Sequence, residues 1–216
     1  MKKTITIIIS SFFFCSFGYA ENYYFKNCRI STVVNGDYVI NLEKNIIDVE
    51  LKANSGDNIQ SILNEGGKLI FIRHAYAPGG GDPSGFEILN CATQRNLNNV
   101  GIEQSKRIGK FFLENNILID KVLSSEWCRC KQTAKYAFNT FETKSFLNSF
   151  FSPKFSVNKL LQIKELKEYI EKWDGKKNLI LITHYVVIFE LLKTSALSGE
   201  IIISNKNYRV LFRKKN

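Results

Sequence analysis

Short, fully apolar stretches that end in polar residues recur along the chain. The clearest cover residues 69–72 and 179–182, and a shorter one lies at 121–123. Apolar stretches of this length, without polar alternation, are typical of strands that are buried on both faces of a parallel sheet. Glycine-rich or polar residues follow each of them. The pattern therefore predicts three strands of one buried sheet, each ending in a polar loop.

Between these strands the apolar positions recur with the period of a helix. Gly101, Ser105, Ile108 and Phe112 share one face, which predicts a helix over residues 100–114. The sequence also predicts helices over 57–64, 127–138, 158–173 and directly after 184, and an edge hairpin of strands over 200–204 and 208–212. Alternating strands and helices predict an α/β fold, a three-layer α/β/α sandwich with a mainly parallel sheet.

The first twenty residues have the layout of a secretory signal peptide. Lys2 and Lys3 precede an apolar stretch over 5–14, and Gly18 and Ala20 offer the small residues that a signal peptidase reads. We expect cleavage after Ala20, a periplasmic or secreted protein, and no stable membrane anchor after cleavage. A transmembrane anchor is the alternative, but the apolar stretch is shorter than the roughly 18–20 residues that span a bilayer.

The next segment is rich in aromatic and β-branched residues. Asn35-Gly36 stands between β-forming residues, which is a strong hairpin signal. Turn-forming residues at 54–57 mark a boundary. The sequence therefore predicts a signal peptide over 1–20, a β-rich N-terminal extension over 21–55, and the α/β domain over 56–216.

Composition and charge narrow the range of partners. The chain has 216 residues, of which 44% are hydrophobic, and a formal net charge of +10. A basic balance fits an anionic partner such as a phosphate group, and it fits a solvated lysine-rich surface equally well. Because the basic residues are spread over the whole chain, we expect no nucleic-acid partner.

The cysteines are interpreted in the light of the predicted export. Cys15 leaves with the signal peptide, and Cys28, Cys91, Cys128 and Cys130 remain. Four cysteines in an oxidising compartment predict up to two disulfides, with three pairings possible, although Cys128 and Cys130 are too close to favour each other. A zinc site is the alternative, but the spacing fits it poorly. No metal site and no cofactor is expected.

Polar residues follow the predicted strands at their carboxyl ends. Arg73 and His74 follow the first, Ser125 comes shortly after the second, and His184 follows the third. In open α/β sheets this edge is where ligands bind. A single histidine there is commonly a packing residue, but both histidines of the mature chain occupy such positions. That coincidence favours a reaction centre.

Arginines add phosphate-binding chemistry to the same edge. Arg73 precedes His74, Arg129 lies near the start of a predicted helix, and Arg95 lies in the polar loop between them. Guanidinium groups match the geometry of phosphate oxygens, and a helix N-terminus adds backbone donors. The glycines at 79–81 lack the Gly-Lys-Ser/Thr ending of a nucleotide-binding P-loop. The sequence therefore predicts a site for a phosphoryl group.

Four segments, in chain order, resemble the motifs of the histidine phosphatase superfamily. The resemblance covers residues 67–205. The amino acids of the motifs are most similar to those of exported bacterial members. The resemblance implies the phosphoglycerate mutase-like fold. The four segments are Arg73-His74-Ala75, Asn96-Leu97 with Gly101 and Gln104, Ser124-Ser125 with Arg129 and Thr133-Ala134, and Thr183-His184.

The resemblance also implies an activity and roles for individual residues. It implies a metal-independent phosphatase that hydrolyses a phosphomonoester or similar group. We expect the partner to be a phosphorylated small molecule or an envelope glycan, and the identity of the substrate stays open. His74 would be the nucleophile that forms a phosphohistidine. Arg73, Arg129 and a cationic His184 would hold the phosphoryl oxygens. Arg95 is assigned to substrate binding, with a surface salt bridge as its alternative.

The proton donor for the leaving group stays open at this point. Some family members carry an acid directly after the second histidine, where this chain has Tyr185. Asp82, in the glycine-rich loop, is our first candidate, and Glu126 is the second. If neither serves, substrates with good leaving groups become the expected ones.

Two other functions remain compatible with the sequence. One is a catalytically weak module of the same fold that binds phosphate or a phosphoglycan, and the other is a phosphomutase. Phenylalanines at 146, 150, 151 and 155 either wall the site or fill the core.

Overall fold

The computed structural model describes residues 59–216 together with three strands of the N-terminal region. The chain divides into two compact units, residues 1–58 and 59–216. The predicted signal peptide, its cleavage site after Ala20 and the Asn35-Gly36 turn lie outside the described residues. The three strands are β1 (Asn22–Phe25), β2 (Tyr38–Asn41) and β3 (Ile47–Leu51).

The described strands of the first unit form an antiparallel sheet in the order β1-β3-β2. Tyr24 lies opposite Asp48, and Ile40 lies opposite Val49. The central strand β3 therefore pairs with both of its neighbours.

Within residues 59–216 a six-stranded sheet has the order β6-β5-β7-β4-β8-β9. The strands β6, β5, β7 and β4 run parallel, β8 is antiparallel to β4, and β9 is antiparallel to β8. The predicted mainly parallel sheet and the edge hairpin are both confirmed. The strands are β4 (Leu69–Arg73), β5 (Ile119–Ser124), β6 (Glu142–Thr143), β7 (Asn178–Thr183), β8 (Ile201–Ser204) and β9 (Val210–Lys214).

Helices follow the strands as the periodicity predicts. No helix within the described residues combines the length and the apolar character needed to cross a membrane. The short α4 was not predicted, because four residues are too few to show a period. The helices are α1 (Ile59–Asn64), α2 (Asn99–Glu114), α3 (Cys128–Phe138), α4 (Pro153–Ser156), α5 (Lys159–Lys172) and α6 (Tyr185–Leu192).

The sheet carries an apolar layer on each face. Ile70 and Ile72 of β4 belong to the cluster that contains Ile108 of α2 and residues of α1 and α3. Leu69 and Phe71 belong to the opposite cluster, with residues of α5 and α6. Successive side chains of a strand point to opposite faces, so a strand covered on both sides must be apolar throughout. This is the predicted three-layer α/β/α sandwich.

Candidate active site

The two histidines meet because their strands are neighbours. Strands β4 and β7 are parallel, and Arg73 pairs with Thr183 at their carboxyl ends. The next residue of each strand is a histidine, and the rings of His74 and His184 lie 5.5 Å apart between centroids. Both are almost fully buried. The structure therefore brings together two residues that are far apart in sequence, at the edge that the sequence predicted.

His74 is held as a neutral imidazole with one free nitrogen. Its Nδ1 lies 2.8 Å from the carbonyl oxygen of Ala75. A carbonyl oxygen only accepts, so Nδ1 carries the proton and Nε2 keeps its lone pair. Burial and then the positive charge of Arg129 lower the pKa of His74 well below its ordinary value. A neutral imidazole with a free Nε2 is the form that a nucleophilic histidine requires.

The backbone after His74 is tied to α2 and α3. The N–H of Ala75 donates to the Thr133 hydroxyl, and the N–H of Tyr76 donates to the Gln104 side-chain oxygen, both at 2.9 Å. A Cβ added at Gly101 would overlap the Tyr76 carbonyl oxygen, so α2 approaches this backbone very closely. These contacts fix the carbonyl of Ala75 that orients His74.

Arg129 connects His184 with the glycine-rich loop. Its side chain is 5% exposed, and Nη1 donates to the two carboxylate oxygens of Asp82 at 2.7 and 3.0 Å. Its Nη2 lies 3.5 Å from Nδ1 of His184. The first turn of α3 thus places a buried guanidinium next to His184, as the sequence predicted for Arg129.

Asp82, the first candidate for the proton donor, is held by several hydrogen bonds. Besides Arg129, its carboxylate accepts hydrogen bonds from the indole N–H of Trp127 at 3.1 Å and from the backbone N–H of Arg95 at 3.2 Å. All of these partners are donors, so a carboxyl proton would have no acceptor here. In this arrangement Asp82 serves as a counter-ion of Arg129.

The other predicted acid, Glu126, is bound to a different residue. An oxygen of Glu126 accepts from the side-chain N–H of Asn148 at 2.6 Å, and the backbone N–H of Glu126 donates back to the Asn148 oxygen. Glu126 is therefore engaged with Asn148, a residue that no sequence motif singled out.

The other two arginines, Arg73 and Arg95, donate hydrogen bonds to backbone carbonyl oxygens. Arg73 donates to the carbonyl of Ala196 at 2.8 Å, and its guanidinium lies over the Tyr185 ring. Arg95 donates to the carbonyl of Gly79 at 3.1 Å and so braces the glycine-rich loop. The buried Nε atoms of Arg73, Arg95 and Arg129 have no hydrogen-bond partner within the described part of the chain. Unsatisfied buried donors on three cationic groups fit an oxyanion ligand.

The surroundings of His184 oppose the cationic form that the resemblance implied. Burial and then Arg129 and His74 lower its pKa well below the ordinary value. Its Nε2 lies 2.9 Å from the hydroxyl oxygen of Ser125. The sequence could not show this opposition, because it comes from complete burial beside cationic groups.

The structure settles one of the open cysteine pairings. Cys91 and Cys128 form a disulfide, which joins the polar loop to the start of α3 directly beside Arg129. Among the described cysteines Cys130 is a free, buried thiol, and burial raises its pKa to about 12. Within residues 59–216 and strands β1–β3 no group of His, Cys, Asp or Glu side chains could hold a metal ion. The disulfide also removes two of the four ligands that the zinc alternative needed.

Of the four phenylalanines at 146, 150, 151 and 155, two fill the core and two lie at the site. Phe146 and Phe150 are buried in the core with residues of α5 and α6. Phe151 is exposed and contacts the Tyr185 ring beside Arg73. Phe155 packs against Trp127, whose indole binds Asp82. Phe151 and Phe155 therefore lie at the site, and the other two are core residues.

Comparisons with known proteins support the fold. No protein-family model matches the sequence, and no curated protein matches it. A protein of Agrobacterium tumefaciens assigned as the phosphohistidine phosphatase SixA is similar in structure, with a TM-score of 0.50, 15% sequence identity, and coverage of 70% of this chain and 99% of the other.

Two further solved structures are similar to the chain. The protein histidine phosphatase SixA complexed with tungstate matches with a TM-score of 0.49 and 16% identity, over 68% of this chain and 95% of the other. Phosphoglycerate mutase from Thermus thermophilus matches with a TM-score of 0.48 and 14% identity, over 69% of this chain and 99% of the other. The sheet order, the layers and the likeness to the Agrobacterium protein lead to one conclusion: the chain has the phosphoglycerate mutase-like fold.

Proposed function

We propose that the chain is a phosphatase that hydrolyses a phosphomonoester or similar phosphoryl group through a phosphohistidine at His74. The observation that carries the proposal is the free Nε2 of a buried, neutral His74, with Arg73, Arg95 and Arg129 around it. A lone pair beside three guanidinium groups is suited to attack on an anionic phosphorus centre.

The proposed reaction has two displacements. Nε2 of His74 attacks phosphorus in line, the bond from phosphorus to the leaving oxygen breaks, and that oxygen takes a proton. Water then attacks the phosphohistidine and gives one proton back to the acid that protonated the leaving oxygen. The P–N bond breaks, and hydrogen phosphate leaves with His74 restored. The Ala75 carbonyl accepts from Nδ1–H throughout and stabilises the positive charge on the substituted ring. Arg73 and Arg129 stabilise the charge of the transferring group.

Asp82 is our proposed proton donor, with a condition that the structure adds. A phosphoryl group would bind the same guanidinium of Arg129 that the Asp82 carboxylate binds. Substrate binding would therefore displace Asp82 from Arg129. Gly79, Gly81 and Gly85 all have positive φ angles, and glycine adopts such backbone conformations without steric cost. The displaced carboxylate could take up a proton and pass it to the leaving oxygen. Glu126 stays the second candidate.

We further propose that the protein acts outside the cytoplasm, on a phosphorylated small molecule or an envelope glycan. The basis for export is the charged and apolar pattern of the first twenty residues. Phe151 and Tyr185 are exposed aromatic residues that contact each other beside Arg73, and they would contact the part of the substrate beyond the phosphate.

The test is a phosphoenzyme trap with radiolabelled phosphoesters. Wild-type protein is expected to acquire an acid-labile label and to release phosphate, whereas His74→Gln, which keeps a polar side chain, acquires none. Equal phosphate release from both proteins would remove His74 as the nucleophile. Phosphate binding without any label would favour the binding module, and label transfer to an added sugar rather than to water would favour a phosphomutase.

A further inference from the structure

The side-chain amide of Asn148 is held in one orientation. The backbone N–H of Glu126 donates to its Oδ1 at 2.9 Å, and its Nδ2 donates to the Glu126 carboxylate at 2.6 Å. A backbone N–H can only donate, so the atom that faces it is the amide oxygen. Asn148 therefore presents an acceptor, and not a donor, to its third neighbour.

That third neighbour is the hydroxyl of Ser125. Ser125 Oγ lies 3.0 Å from Oδ1 of Asn148, and because an amide oxygen only accepts, the hydroxyl proton points towards Asn148. The backbone N–H of Trp127 also donates to Oγ, at 3.2 Å. Ser125 thus has only a lone pair left for Nε2 of His184, which lies 2.9 Å away. Cys130 Sγ also lies 3.5 Å from Nε2, but its thiol donates to the carbonyl oxygen of Thr183 at 3.7 Å. It follows that Nε2 carries a proton.

The contacts of Nδ1 of His184 indicate the same tautomer. Nδ1 of His184 lies 3.5 Å from Nη2 of Arg129, and a guanidinium nitrogen only donates. Nδ1 therefore keeps its lone pair, directed towards the arginine that would bind the phosphoryl group. Two independent sets of partners agree on one tautomer.

We propose that Ser125 and Asn148 are positioning residues that hold His184 in its Nε2–H tautomer, so that the site binds a phosphoryl group together with one proton at Nδ1. The proton part of this inference rests on the proposed function, whereas the tautomer does not. A phosphoryl oxygen at Nδ1 would meet a second lone pair, and a proton between the two atoms converts that repulsion into a charge-assisted hydrogen bond.

The charges around His184 explain why the proton arrives with the ligand. Cationic neighbours and burial oppose an imidazolium in the free site, and an incoming phosphate dianion reverses that balance. The titratable and charged groups around His184 are Arg129 and Cys130 from α3, Arg73 and His74 from the end of β4, Arg95 from the loop, and Asp82 through its pair with Arg129.

The tautomer can be tested directly by nitrogen-15 NMR of the histidine rings. The chain has only two histidines, so assignment needs one variant, His74→Gln. At pH 8 the wild type is expected to show His74 with a proton on Nδ1 and His184 with a proton on Nε2. In Ser125→Ala, and in Asn148→Leu, which frees the Ser125 proton for Nε2, His184 is expected to move towards the Nδ1–H tautomer.

Ser124→Ala is the matched control for these variants. Ser124 is as buried as Ser125, but its hydroxyl donates to the Ser125 carbonyl, so the control should keep the wild-type tautomer. The inference is overturned if wild-type His184 carries its proton on Nδ1, or if both test variants fold and keep the Nε2–H tautomer. The wild-type spectrum decides even if a variant fails to fold.

The coupled proton is counted by calorimetric titration with inorganic phosphate, at a pH where it is a dianion, in two buffers of different ionisation enthalpy. Wild type and Ser124→Ala are expected to take up about one proton per phosphate bound, and Ser125→Ala and Asn148→Leu less than half of that. Binding without proton uptake by the wild type would overturn the coupling alone. Absence of phosphate binding would overturn the proposed function and the coupling, and would leave the tautomer result standing.

Discussion

His74 and His184 stand 5.5 Å apart at the ends of adjacent parallel strands, with opposite tautomers. His74 has its proton on Nδ1, bound to the Ala75 carbonyl, and His184 has its proton on Nε2, bound to the Ser125 hydroxyl. His74 therefore has a lone pair on Nε2 for the proposed attack on phosphorus, and His184 has a lone pair on Nδ1 for the proposed proton. Two like residues in one buried site acquire different roles through their hydrogen-bond partners.

Both histidines are expected to make stability depend on pH. Their pKa values are lower in the folded state than the ordinary value of about 6.5, so below that pH the unfolded chain binds more protons. Their contribution is fully present above about pH 6.5 and is lost as the pH falls, with a slope approaching about 1.4 kcal/mol per pH unit for each histidine. Urea unfolding between pH 5 and 8 measures this slope, and His184→Asn should reduce it; an unchanged slope would contradict the burial argument.

The proton donor can be identified by comparing leaving groups. If Asp82 protonates the leaving oxygen, Asp82→Asn should lower kcat/KM on phenyl phosphate by about 100-fold, within the usual range for general acids, and much less on p-nitrophenyl phosphate. The ratio of the two rates cancels any effect on binding to Arg129. Glu126→Gln is the matched control and should leave the ratio unchanged. A changed ratio in Glu126→Gln alone would assign the role to Glu126.

Gly101 is expected to tolerate no side chain. A Cβ there would overlap the Tyr76 carbonyl oxygen, so Gly101→Ala should reduce the free energy of unfolding by about 2 kcal/mol or more and lower activity by moving the backbone after His74. The control is Gly80→Ala, because nothing lies within 4 Å of a Cβ at that position. Similar losses of unfolding free energy in both variants would show that α2 does not press on this backbone.

The disulfide between Cys91 and Cys128 should contribute strongly to stability. It closes a sequence separation of 37 residues. A chain-entropy argument gives about 4 kcal/mol for a loop of this size, and replacing both cysteines by serine should cost about 2–4 kcal/mol. Urea unfolding of wild type and variant, each with and without a reductant, checks this. The reductant should destabilise the wild type only, and an equal effect on the variant would mean that another bond is being reduced.

Helices and strands of the α/β unit were predictable because their signals are local. Apolar side chains on both faces of β7 produce a fully apolar stretch, and the buried face of α2 produces a period close to 3.6 residues. The edge hairpin of β8 and β9 was predictable for the same reason. The two-residue strand β6 and the short α4 were not predicted, because segments so short carry no period.

The sequence by itself determined the order of elements and placed Arg73, His74, Arg129 and His184 at the ends of strands or the start of a helix. Only the tertiary structure decided that β4 and β7 are neighbours and that Asp82 is bound to Arg129. It also decided which hydrogen-bond partners surround the His184 ring. Protonation and hydrogen bonding depend on groups that meet in space from distant parts of the chain, such as Ser125 and Asn148, 23 residues apart. A hydrophobic pattern indicates whether a side chain is buried, but it does not indicate which polar groups surround that side chain.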